Sequence, residues 1–233
     1  MRVTDTGQGG TLARTHEGKP GLPRGRSRLP LSAVRASQRE RLLRSVIAAV
    51  SESGYLAVTV ADIVRRARVS RAAFYAHFAD KEDCFLAATA EGRDLMIAQV
   101  VSATRALPAE ARDEEVLGAA CRAYLAFLAG QPAFARVFFI HMPTAGPRAV
   151  DRLDAGSGLF ADLNQKWHER AREHHPEWPS VPSEVYLALA GATAELVRSM
   201  VRAGWTDDLP ELAETLVSLH LAVLAARPWP AGS

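Results

Sequence analysis

The chain has 233 residues, 48% hydrophobic and 23% charged, proportions that support a packed core and exclude wholesale disorder and collagen-like or mucin-like repeats. Its longest near-apolar stretches, such as Leu187–Ala194, fall far short of the ~18 residues of a membrane helix, and the first residues lack the apolar core of a secretory signal. The net charge of +2 conceals an uneven split, since residues 1–81 hold 15 Lys/Arg against 6 Asp/Glu while residues 82–233 hold 13 against 20, which points to a polyanion, foremost nucleic acid, as partner of the N-terminal third.

In chain order, residues 1–36 are rich in Gly, Pro, Ser, Thr and Arg without a sustained apolar period. They are expected to form a flexible basic arm. Within it, Pro23-Arg24-Gly25-Arg26-Ser27 resembles the core of an AT-hook, with Ser27 where the hook repeats proline. The plainer reading is an arm that adds phosphate affinity regardless of sequence. From Ser37 the spacing becomes helical, with Leu42, Leu43, Val46, Ile47 and Val50 on one face. Gly54 stops that helix. Thr59 to Asp62 is a near capping box that opens a second helix with Ile63, Val64 and Ala67 inward. Ser70 caps a third helix through Phe78, and Asp80 caps a fourth from Lys81.

Beyond residue 90 the segments lengthen. Glu114–Ala129 is amphipathic and ends at Gly130, and Pro132 opens the next helix, the aromatic run to His141. Two prolines break the chain between Met142 and Pro147. A long helix is predicted from about Arg148 to His175, with Gly156-Ser157-Gly158 as a place for a kink. Pro176, Pro179 and Pro182 then separate it from Ser183–Ala203, which Gly204 ends, and Leu209–Ala226 forms the last helix. No alternating β-branched run competes. The chain reads as all-α.

The segment from Thr59 to Glu82 has the logic of a helix-turn-helix. Ile63 and Val64 bury the first helix, Val69 plugs the angle at the turn, and Phe74 and Phe78 pin the second helix one turn apart. Arg71, Ala72, Ala73, Tyr75 and Ala76 are left facing outward, and small residues there permit close approach to the major-groove floor.

These residues resemble the N-terminal domain of the tetracycline-repressor (TetR/AcrR) family of transcription regulators. The resemblance covers residues 37–90 and rests on Gly54-Tyr55 after the leading helix, Thr59-Val60, Val69-Ser70-Arg71 at the turn, and Phe74-Tyr75-x-His77-Phe78-x-x-Lys81-Glu82. One position departs from it: the turn residue that is usually Gly is Arg68, which carries a steric cost wherever φ is positive. The resemblance implies DNA contacts from Thr59, Ala61, Ser70, Arg71, Ala72, Ala73, Tyr75, His77 and Lys81. Arg71 would read a guanine edge, the two alanines would make apolar contact, and Tyr75, His77 and Lys81 would hold phosphates. His77 is open to a second reading, as a buried structural histidine.

For residues 91–233 the resemblance implies a helical ligand-binding and dimerisation domain. Tyr124, Phe127, Phe138, Trp167 and Tyr186 are candidates to line an apolar cavity for a small apolar or amphipathic effector, with His141 as a polar contact. Plain core is the other reading of these aromatics. The stripe Val185, Leu189, Ala192, Leu196, Met200 and the stripe Leu212, Leu216, Leu219, Val223 suit a four-helix homodimer interface. They equally suit packing within one chain.

Enzyme and metal signals are poor. His168-Glu169-Arg170-Ala171-Arg172 lacks the second histidine of HExxH, His174 and His175 are adjacent and do not share a helix face, and Gly156-Ser157-Gly158 is neither a P-loop nor GxSxG. Cys84 and Cys121 form no CxxC pair and read as small apolar fillers. The expectation is an all-α, cytoplasmic, ligand-responsive transcription regulator, most simply a repressor, without metal or cofactor, that binds a palindromic double-stranded DNA operator as a dimer. A non-specific architectural DNA-binding protein is the alternative, followed by an all-α enzyme with a vestigial helix-turn-helix.

Overall fold

The computed structural model describes residues 10–15 and 30–225. Every regular element among them is helical. The described residues form two units, one of residues up to 94 together with 130–149 and the other of residues 95–129 together with those from 150 on.

In the first unit, α1 spans Leu31–Ser53. It begins six residues before Ser37, where the periodicity starts, because Pro30 sets extended backbone at the cap and its carbonyl accepts from Ala33 and Val34. Those first turns bury nothing: Leu31 is 84% exposed, so no apolar stripe announces them. Leu42, Val46 and Val50 are fully buried, and Gly54 ends the helix with φ 80°. α2 spans Val60–Ala67, α3 Arg71–Tyr75 and α4 Lys81–Arg105. The third helix is shorter than predicted; the chain leaves it in a turn at Ala76-His77 before Phe78. Asp80 starts α4 by accepting from the Asp83 amide at 2.7 Å, while the Asp83 carboxylate accepts from Ala79 at 3.2 Å.

Residues 130–149 belong with this unit, not with the C-terminal domain in which the sequence places them. Two more helices arise at their border: α5 spans Asp113–Gly130 and α6 Pro132–Arg136, with Pro132 at the first turn. A π-type turn follows at Val137–His141 and a 3₁₀ turn at Met142–Thr144. Phe134 lies so close to α4 that a Cβ on Gly92 would stand 2.1 Å from its ring.

Part of the N-terminal arm is docked on the same unit. Thr11–Ala13 forms a 3₁₀ turn whose Leu12 amide donates to Gln131 Oε1 at 2.9 Å, while Gln131 Nε2 donates to Thr11 Oγ1 at 3.0 Å. Gly10 permits this with φ 73°, and a Cβ there would meet Gln131 at 2.4 Å. The expectation of a wholly flexible arm therefore fails at residues 10–15. The AT-hook-like residues 23–27 lie outside the described residues.

In the second unit, α7 (Pro147–His174, of which residues 150–174 belong here) runs unbroken through Gly156-Ser157-Gly158, so the expected kink is absent. α8 occupies Ser183–Ala203, ended by Gly204 with φ 83°. The last predicted helix divides: Thr206–Leu212 is a 3₁₀ segment holding Pro210, and α9 is confined to Ala213–Leu224. Proline removes a backbone donor, and the tighter turn accommodates the loss. Val185, Tyr186, Leu189 and Leu224 form a core cluster against which Trp167, Leu219 and Val223 pack.

Candidate nucleic-acid interface

The helix-turn-helix is assembled by short-range hydrogen bonds that the sequence dictates. Thr59 Oγ1 accepts from the Asp62 amide at 3.2 Å, and Asp62 Oδ2 returns to the Thr59 amide at 3.1 Å and its hydroxyl at 2.6 Å. These bonds, first the hydroxyl's and then the amide's, hold the Asp62 carboxyl below its usual range. Ser70 Oγ accepts from the Ala73 amide at 3.0 Å and fixes the start of α3. Arg68 closes α2 with φ 54° and ψ 45°, the left-handed conformation that glycine would adopt without strain. Its amide donates to the carbonyls of Val64 and Arg65.

Phe74 is fully buried and Phe78 nearly so, their ring centroids 5.9 Å apart. That contact orients α3. Arg71, Ala72 and Ala76 are exposed and Ala73 is half-buried. Tyr75 is 55% exposed, its ring set edge-on to Phe74. Thr59 and Ala61 are exposed at the start of α2. Nearby charge is already neutralised in part, since Arg65 pairs with Asp62 at 2.8 Å and Arg66 holds Glu52 through two bonds of 2.6 Å.

Two expected phosphate contacts are placed otherwise. Lys81 Nζ turns inward, donating to the carbonyls of Tyr55 at 2.8 Å and Val58 at 2.9 Å and lying over the Tyr55 ring. Burial lowers its pKa. His77 is half-buried, with Nε2 enclosed and unpartnered among the described residues. Burial first, then the charges of Arg35 and Arg39, lower its pKa and favour the neutral ring. Two commitments of the α3 region to core, at Phe74 and Phe78, thus draw its C-terminal end inward.

The candidate effector residues divide between the units. Phe138 and His141 lie in the first, where Phe138 packs between Phe134 and Phe139 at centroid distances of 5.6 and 5.3 Å. Tyr124, Phe127, Trp167 and Tyr186 lie in the second. Tyr124 is buried and set edge-on to Phe160, and burial raises the pKa of its hydroxyl. Trp167 donates its indole N–H to the Asp113 carbonyl at 3.1 Å.

Tyr186 reaches His168, which sequence reasoning considered only as part of a failed metal motif. His168 is fully buried, 2.8 Å from the Tyr186 hydroxyl through Nδ1 and 3.1 Å from the Leu224 carbonyl through Nε2. A carbonyl only accepts, so Nε2 carries the proton and Nδ1 receives the tyrosine's. The two leucine stripes also turn inward in part: Val185, Leu189 and Leu216 are buried within their own unit. Ala192, Leu196, Met200, Leu212, Leu219 and Val223 are half-buried, and the exposed strip of α8 is Leu187, Ala188 and Gly191.

Residues 43–88 match the family model described as bacterial regulatory proteins, tetR family. No curated protein matches the chain. Among solved structures, the fatty acid degradation regulator FadR from Bacillus halodurans is similar with a TM-score of 0.71 at 18% identity, over 82% of this chain and 97% of that one. FadR from Bacillus subtilis, solved in complex with stearoyl-CoA, gives 0.69 at 16% identity over 79% and 98%. Salmonella enterica GusR gives 0.65 at 18% over 81% and 96%. No single described helix is long and apolar enough to cross a membrane. Residues 43–88 thus match the helix-turn-helix domain of the bacterial regulatory proteins of the tetR family, within a chain whose fold is similar to that of these solved regulators.

Proposed function

We propose that the protein is a ligand-responsive repressor that binds a palindromic operator as a homodimer and is released by a small amphipathic effector. The outward face of α3 carries this reading: Arg71, Ala72, Tyr75 and Ala76 are exposed on a helix pinned from behind by Phe74. Arg71 presents a guanidinium fork to a guanine O6 and N7. Ala72 and Ala73 allow the helix to approach the groove, while Thr59, Ala61, Ser70 and Tyr75 hold the flanking backbone. Lys81 and His77 support this surface from within.

Two-fold pairing through α8 and α9 spaces the two recognition helices on one face of the duplex. The exposed Leu187, Ala188 and Gly191 strip supports close packing there, flanked by half-buried Leu196, Met200, Leu219 and Val223. The stearoyl-CoA held by the Bacillus subtilis FadR structure supports an effector that combines an apolar chain with a polar head. Tyr124, Phe127, Phe138, His141, Trp167 and Tyr186 are the residues to test for it. Such an effector releases DNA only by its higher affinity for a dimer whose helices are wrongly spaced.

Fluorescence anisotropy on duplexes tiling the chromosomal region upstream of the coding sequence, against a scrambled duplex, tests the reading. A preference of about a thousandfold for one duplex is expected. Equal, strongly salt-dependent binding to all of them would instead mark a non-specific architectural protein.

A further inference from the structure

Gln131 stands at the N-cap of α6, yet its side chain makes no cap bond to that helix. An N-cap side chain ordinarily accepts from the first amides of its own helix. Here both atoms of the side-chain amide are given to the N-terminal arm, Oε1 accepting from the Leu12 amide at 2.9 Å and Nε2 donating to Thr11 Oγ1 at 3.0 Å. The arm also comes as close as backbone allows. A Cβ on Gly10 would stand 2.6 Å from the Gly130 carbonyl oxygen and 2.8 Å from the Gln131 Cα. Ala13 is buried, and the turn Thr11–Ala13 packs on both α1 and α6.

That turn is too slight to hold its own shape. It has three residues, no side-chain cap, and one closing bond of 3.4 Å from the Arg14 amide to the Thr11 carbonyl. Gln131 and the close approach of Gly10 set its place instead. Two neutral, partly exposed hydrogen bonds and one small buried side chain make an attachment of modest strength, which opens and closes at equilibrium. On one side of it is α1, which also packs on α2 and α3. On the other is α6, in the segment 130–149 that the chain continues at each end into helices of the second unit.

We propose that residues 10–13 are a strap that fastens α6 to α1, and that its docking favours the arrangement of the first unit that binds DNA. Movement of residues 130–149 away from α1 breaks the strap, and a broken strap lowers the affinity for any duplex. The link to DNA rests on the function proposed above; the fastening does not.

The test compares the wild type with Gly10→Val and Gln131→Ala, which release the strap from its two sides and remove no charge. Gln131→Ala takes no cap from α6, so its effect on that helix passes through the strap. Amide hydrogen exchange without DNA reads the fastening. In both variants residues 11–13 and 132–141 should exchange about fivefold faster, the weight of roughly one neutral hydrogen bond. Fluorescence anisotropy across a salt series reads the link. Both variants should bind the tiled and the scrambled duplexes about fivefold more weakly with an unchanged salt slope, since no phosphate contact is lost. By reciprocity, saturating duplex should slow exchange at the wild-type Leu12 amide by a similar factor.

Unchanged exchange at residues 132–141 overturns the fastening, whatever residues 11–13 do. Variants that exchange faster in both segments but bind every duplex as the wild type does overturn the link to DNA. A salt slope reduced by about one also overturns it, because the docked arm would then be carrying a cation to a phosphate. A wild type that binds no duplex defeats the operator reading, and exchange at residues 132–141 still decides the fastening.

Discussion

The ammonium of Lys81 stands 4.1 Å from the centre of the Tyr55 ring while its N–H groups are donated to the carbonyls of Tyr55 and Val58. The first residue of α4 thus ties down the loop between α1 and α2. Tyr55 in turn packs on Phe85, centroid to centroid 4.8 Å. The platform on which the helix-turn-helix rests is closed by a cation that the family resemblance would place against DNA.

Removal of that cation should be felt without any DNA. Lys81→Met leaves two loop carbonyls without their donor, and a hydrogen bond to a charged group contributes roughly 1.5–3 kcal/mol. Because the site is half-exposed, water recovers part of the loss, and a net destabilisation of about 2 kcal/mol is expected. Urea denaturation of the free protein measures it. A variant as stable as the wild type would return Lys81 to the phosphate-binding set.

The buried histidines make stability fall in mild acid. Burial lowers the pKa of His168, and the bond to the Leu224 carbonyl, though opposing, does not offset it. His220 is lowered in the same way. A group whose folded pKa lies below its ordinary value near 6.5 takes up its proton more readily in the unfolded chain. Its stabilising contribution is complete above that value and is lost as pH falls through the folded pKa. Unfolding free energy should therefore be level above about pH 7 and decline below about 6.5. His168→Gln should be less stable at neutral pH and show a shallower decline. An unchanged slope would show that His168 does not carry the dependence.

Much of this arrangement is legible in the sequence because short-range chemistry decides it. Thr59, Asp62, Ser70 and Asp80 sit where caps demand them, and the caps form as read. Phe74 and Phe78 are core because their one-turn spacing admits nothing else. Where two elements distant in sequence decide the outcome, spacing is silent. Gln131 receives Leu12 across more than a hundred residues, and no local pattern marks either residue. Lys81 and Tyr55 meet in the same way. The stripe from Val185 to Met200 carries the right period, but period cannot distinguish a partner subunit from the rest of the same chain. Burial of Val185 and Leu189 in their own unit makes that choice for those two residues.

Glycine positions separate close packing from mere flexibility. Alanine at Gly92 would place its Cβ 2.1 Å from Phe134, a residue with no exposed surface that is enclosed on every side. Overpacking of this kind costs about 1–3 kcal/mol. Gly158, in the middle of α7, has nothing within 4 Å of such a Cβ. There alanine restores helix propensity and should stabilise by as much as ~1 kcal/mol. Thermal melts of Gly92→Ala and Gly158→Ala should shift in opposite directions. A downward shift for Gly158→Ala would mean that the open space beside it is filled in the assembled protein.

Specificity should reside in Arg71 and not in the residues that flank it. Its side chain is exposed at the first position of α3, and the Ser70 cap beside it fixes where that helix begins. A bidentate contact with guanine discriminates against the wrong base by about 1–3 kcal/mol, whereas a phosphate contact gives the same energy on every sequence. Arg71→Ala should therefore lose affinity for the operator by roughly tenfold to a hundredfold while binding scrambled duplex nearly as before. Tyr75→Phe keeps the ring against Phe74 and removes only the hydroxyl, so its smaller loss should be equal on both duplexes. Titration of the two variants on matched and scrambled duplexes at one salt concentration separates the roles. If Arg71→Ala lost the same factor on both, its guanidinium would be holding a phosphate, and base reading would have to come from elsewhere on α3.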